Sequence, residues 1–128
     1  MSKLIIATFL FLIIDYLYLS SVKNHFDKQL IMIQNSPIKL QPLPALFCYF
    51  FLILGLYFFI LKDNRPVWEA VLLGLIIYMV YETTNKAIFN KWTWSTVLID
   101  GLWGGILFGL TTFLTYRLAA FYEKNTKK

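Results

Sequence analysis

Three carboxylates interrupt otherwise apolar sequence: Asp15 in FLIIDYLYL, Glu82 in YMVYETTN and Asp100 in LIDGLWG. An acid in such a setting can serve as a proton donor or acceptor, as a cation ligand, or as a hydrogen-bonded tie between helices. An ionised carboxylate within hydrocarbon costs at least ~2.5 to 3.5 kcal/mol on insertion scales, so three of them should turn inward rather than face lipid separately. No Lys or Arg lies at matching depth inside the apolar runs. Two states follow. Either some of the acids are protonated, because desolvation and like charge both disfavour the ionised form, or they hold a cation from solution whose identity, metal or otherwise, the sequence leaves open. Lys86, and more remotely Lys91 or Lys23, could reach in from the rim by snorkelling.

The elements that position these acids are legible as apolar runs. A bilayer core of roughly 30 Å needs about 20 mostly apolar residues per helical crossing. Four runs qualify, at about 4–22, 43–61, 67–84 and 95–118. They consume most of the 128 residues and leave a single transmembrane domain over 1–128. The composition agrees: 59% of residues are hydrophobic and the mean hydropathy is +0.62, outside the range of soluble domains. The expected fold is an all-α membrane protein of four antiparallel transmembrane helices.

Between the first two spans, the polar stretch 23–41 keeps Phe26, Leu30 and Ile33 at i, i+4 and i+7. That spacing predicts a short amphipathic helix at the membrane surface. Asn35, Ser36 and Pro37 should end it, and Pro42 and Pro44 suit the entrance of the second span. A tight turn is expected at 62–66, Trp92 and Trp94 read as interfacial anchors, and 123–128 as a charged tail. A cleaved signal peptide is the competing reading of the first run. Its length, its mid-run acid and the lack of a small-x-small cleavage site argue against that.

The net charge of +5 would suit nucleic acid, but the Lys and Arg residues flank the apolar runs, so the expected partner is the lipid bilayer. Seven of them (Lys3, Lys62, Arg65, Arg117, Lys124, Lys127, Lys128) lie with the termini and second loop, against five (Lys23, Lys28, Lys39, Lys86, Lys91) in loops one and three. That bias places both termini of this multi-pass protein in the cytoplasm. A single cysteine, Cys48, excludes an internal disulfide, and a single histidine, His25, excludes a His-rich metal site. Cys48 reads as a packing residue and His25 as a surface residue.

Antiparallel spans put loops one and three on one face, and depth can be counted from there at ~1.5 Å per residue. Asp15 and Asp100 then lie roughly 10 Å deep and Glu82 somewhat shallower, all in one half of the bilayer. On the third span Gly74, Tyr78, Tyr81, Glu82 and Asn85 follow i, i+4, i+7, i+8 and i+11, a polar stripe on an apolar helix. On the fourth, Gly101, Gly105 and Gly109 form a small-xxx-small ladder that admits a close neighbour, within the chain or in a second copy as a homo-oligomer. Asp100 and Gly104 adjoin it, and Trp103 could donate its indole N–H to a carboxylate. The expected ion or ligand site is therefore Asp15, Glu82, Asp100 and Asn85, supported by Tyr78, Tyr81, Trp103 and Gly104.

This pattern resembles an uncharacterised, mainly bacterial family of small four-helix membrane proteins, a domain-of-unknown-function family with an intramembrane acid in helices one, three and four. The likeness covers nearly the whole chain: FLIIDYLYL, HFDKQL, PALF with Gly55 after it, YMVYETTNKAIFNKW and LIDGLWG. The chain departs from the family in having Glu82 where Asp is usual, Tyr18 where Trp is usual, and a shorter connection at 62–66. The resemblance implies a shared fold and shared polar residues, and it brings no activity.

The expected function is binding or conduction of a cation or proton through the carboxylates, with no cofactor beyond such a cation. The alternative is a structural or assembly protein of a cellular or viral membrane, whose acids only tie helices together. An enzyme acting on lipid headgroups ranks last. No phosphate-handling motif is present, and Ser20 and Ser21 lack a base beside them.

Overall fold

A computed structural model of the chain describes residues 2–34 and 42–126. Side chains at 26, 29, 30, 32–34, 125 and 126 are outside that description. The order is α1 (Ser2–Gln34), α2 (Pro42–Leu56), a π-helical turn (Tyr57–Leu61), α3 (Val67–Ile88) and α4 (Trp94–Thr126). Helix is what the apolar runs must adopt, because lipid offers no partner to backbone N–H and C=O groups. Among the described residues, four helical segments are long and apolar enough to cross a membrane: Ser2–His25, Pro42–Leu61, Val67–Ile88 and Trp94–Lys124.

The separate surface helix expected at 23–34 is not a separate element. α1 continues unbroken through Lys23 to Gln34, because no Pro or Gly stands between the first span and that stretch. The side chains of Phe26, Leu30 and Ile33, and the stop at Asn35, Ser36 and Pro37, lie outside the described residues. The fourth span also runs longer than expected, to Thr126, for the same lack of a breaker.

Local chemistry sets the helix ends. Pro42 opens α2, where its missing N–H costs nothing. At the far end of that span the backbone widens: Lys62 N–H donates to Tyr57 O at 2.8 Å and Arg65 N–H to Ile60 O at 2.9 Å, both five residues back. Asn64 then takes φ 53°, a left-handed conformation that Asn tolerates, and Pro66 caps α3 in an extended conformation. Arg65 grips Glu69 with two 2.6 Å hydrogen bonds, which push the guanidinium pKa up. Thr93 caps α4 by accepting from the Thr96 N–H at 3.3 Å.

α3 and α4 form the most extensive helix pair, and glycine is the reason. A Cβ added at Gly74 would collide with the backbone carbonyl of Gly104 and with Phe108, so the two helices cross almost backbone to backbone there. Gly101 lies against Met79, Gly104 against Tyr78, and Gly105 and Gly109 against Val71. Residue numbers fall along α3 as they rise along α4, so the two helices run in opposite directions. The same order holds for α1 against α4, where Lys3 lies over Tyr116, Phe11 packs on Phe108 and His25 meets Thr96. The core between them contains Ala7, Phe11, Leu56, Leu61, Ala70, Leu107 and Phe108. α2 is held more loosely, chiefly by α1, and turns Phe47, Phe50, Phe51 and Leu54 outward as a lipid-facing side should.

Candidate functional site

Each of the three acids finds an aromatic hydrogen-bond donor supplied by another segment. Asp15 on α1 is only 5% exposed. It accepts from the Tyr49 hydroxyl of α2 at 2.5 Å (Oδ2) and from the Trp103 indole of α4 at 2.9 Å (Oδ1). Asp100 on α4 is half-buried and accepts from the Tyr18 hydroxyl of α1 at 3.2 Å. Tyr18 stacks flat on Trp103, with ring centroids 4.3 Å apart and an interplanar angle of 9°. One aromatic pair therefore joins the donors to both aspartates.

Glu82 on α3 is fully buried. Its Oε1 accepts from the Trp92 indole N–H at 2.9 Å. Its Oε2 is buried with no hydrogen-bond partner among the described residues, and the Asp100 carboxyl acts on the Glu82 carboxyl. Asp15 and Asp100 also act on each other through space. The carboxylates thus form a row, Asp15 to Asp100 to Glu82, across α1, α4 and α3. The sequence placed them at one depth, and the structure brings them together.

The other expected residues divide. Tyr78 lies within electrostatic reach of both Asp15 and Asp100, and its ring rests on Gly104. Tyr81 is exposed but shares a cavity wall with Asp100. Asn85 is half-buried and bonds none of the acids: its described contact is the backbone carbonyl that accepts from Phe89 N–H at 2.8 Å. The Gly101, Gly105 and Gly109 ladder is used inside the chain, against α3. Lys86 does not reach in; its ammonium stands over the Trp94 ring, 5.8 Å from the centroid. Lys23 pairs with Asp27 at 3.4 Å.

Two sequence expectations are corrected. Trp92 is no interfacial anchor: it is 3% exposed and turned in to Glu82, whereas Trp94, at 64%, is placed as an anchor would be. His25 is a half-buried helical residue 2.7 Å from the Thr96 hydroxyl, because α1 carries on past the first span and brings it against α4. Tyr49 and Tyr18 were missed as site residues. The signal available for them was the need of each buried acid for a donor, since a buried carboxylate without one costs several kcal/mol. On α4, the buried hydroxyls of Thr111, Thr112 and Thr115 have no hydrogen-bond partner among the described residues.

Among the described residues no three His, Cys, Asp or Glu side chains are grouped as a metal's ligands would be. The row is a set of paired groups: carboxyl to phenol, carboxyl to indole, and carboxyl to carboxyl. Such an arrangement can store a proton, exchange it between neighbours, or attract a single positive charge.

No curated protein and no solved structure matches the chain. A family model does, that of the predicted membrane proteins DUF2177, over residues 1–118. With four helices able to span a bilayer and a match covering nearly its whole length, the chain is an integral multi-pass membrane protein and belongs to the DUF2177 family.

Proposed function

We propose that this protein binds a proton within the membrane at the Glu82 and Asp100 pair, with Asp15 as the third acid of the row. The observation that carries the reading is the Glu82 Oε2 atom, buried and without a hydrogen-bond donor among the described residues, on a carboxyl that interacts with the Asp100 carboxyl. Two carboxylates cannot both stay ionised at such range in an apolar bundle with no cationic side chain beside them. A proton shared between them removes the repulsion and supplies the missing donor. The groups around the pair support this: Asp15 and Tyr18 from α1, Cys48 from α2, and Tyr78 and Tyr81 from α3, none of them cationic at neutral pH.

The reading favours binding over an open pore. Below Asp15 the interior is filled by Phe11 and Phe108, both fully buried, with rings 5.5 Å apart and edge to face. On the other side, His25 and Thr96 meet one helical turn from Asp100. The test is proton uptake by the full chain in lipid nanodiscs after a downward pH jump from alkaline medium, read with a pH dye. Wild type should take up more protons per chain than Glu82→Gln or Asp100→Asn. Equal uptake by all three would contradict the reading.

A second reading has its own observation: every acid bonds a residue of another segment, so the acids also serve as ties. If tying is their whole role, the same variants will lower thermal stability and leave proton uptake unchanged.

A further inference from the structure

Beside the carboxylate row lies a cavity of about 290 Å³ between α2, α3 and α4, lined by Cys48, Leu52, Ile77, Tyr78, Tyr81 and Asp100. Its size is at the lower end of small-ligand pockets, which begin at about 300 Å³. Its walls are apolar and aromatic apart from one carboxylate and two phenols. Cys48 and Tyr81 are exposed, and both belong to spanning helices, so the mouth faces lipid sideways rather than water.

We infer that this cavity binds a small organic ammonium ion bearing an apolar group, which enters laterally from the bilayer and sets its charge against Asp100. Three features select that ligand. An apolar lining accepts a hydrocarbon body. Tyr78 and Tyr81 offer aromatic faces, which attract quaternary and alkyl ammonium groups. The third feature is charge: a Glu82 and Asp100 pair that shares one proton keeps one negative charge, which a singly charged cation neutralises. An anion would meet the carboxylates unpaired, and a bare metal ion would find a lining short of oxygen ligands. Glu82 does not line the cavity and acts on it through the Asp100 carboxyl. The charge match rests on the proton reading above; the shape match does not.

The experiment is equilibrium binding of benzyltrimethylammonium to the full chain in phosphatidylcholine nanodiscs, with neopentylbenzene as the uncharged ligand of the same shape. The cation should bind saturably and the uncharged compound should not. Asp100→Asn should weaken binding about 30-fold or more, as loss of a desolvated charge partner does. Because that variant also weakens the hydrogen bond that Tyr18 donates to position 100, Leu52→Trp provides a second route: it fills the cavity from α2, leaves all three acids in place, and should also remove binding. Binding at wild-type strength in either variant, or equal binding of neopentylbenzene, would overturn the inference. An infrared spectrum of the same wild-type sample separates the two ideas. A protonated-carboxyl band with no cation binding sinks the cavity inference alone, and saturable binding without that band sinks the proton reading alone.

Discussion

The indole nitrogen of Trp92 donates to Glu82 Oε1 at 2.9 Å, and both residues are buried although they lie in different segments of the chain. Trp92 is the N–H donor bonded to the Glu82 carboxyl, and the Asp100 carboxyl is its other polar neighbour. Trp92→Phe keeps the bulk and removes the donor, so it should destabilise the fold by about 1–3 kcal/mol in a denaturation assay in detergent. Trp94→Phe, on an exposed ring, should change stability by no more than about 0.5 kcal/mol. Equal effects would show that the bond contributes nothing specific.

Tyr49 is the hydrogen bond that ties α2 to the acid row, through Asp15 Oδ2 at 2.5 Å. Because α2 has few other partners, Tyr49→Phe should speed amide hydrogen exchange in 42–56 while leaving the α3 and α4 pair protected. Unchanged exchange in α2 would mean that its side-chain packing alone holds it.

Two glycines of similar sequence setting should behave in opposite ways. Gly74→Ala pushes a methyl group into the Gly104 carbonyl and Phe108, and the overpacking should cost about 1–3 kcal/mol. Gly55 has nothing within 4 Å of an added Cβ, and Gly55→Ala should gain up to about 1 kcal/mol from helix propensity. Thermal unfolding of the two variants checks both signs.

Much of the architecture could be read from the sequence, because bilayer thickness fixes span length and glycine spacing fixes close contact. The four spans and the close contact of α3 with α4 follow from those rules. The donors Trp92, Tyr49 and Tyr18 do not, since Trp and Tyr suit a lipid interface as well as a buried carboxyl, and only the helix register separates the two. Asn85 lies on the Glu82 face of α3, and its described bond is through its backbone carbonyl to Phe89 N–H. The continuation of α1 past Lys23 was hidden because polar residues mark the end of a span and not the end of a helix.

The shared proton of Glu82 and Asp100 is tested most directly by infrared difference spectroscopy of the protein in nanodiscs as pH is raised from neutral. The account predicts a protonated-carboxyl C=O band at neutral pH that disappears on alkalinisation, is missing in Glu82→Gln, and is shifted in Asp100→Asn, where Glu82 stays buried without its carboxyl partner. A wild-type spectrum with no such band at neutral pH, or a band that survives unchanged in both variants, would contradict it.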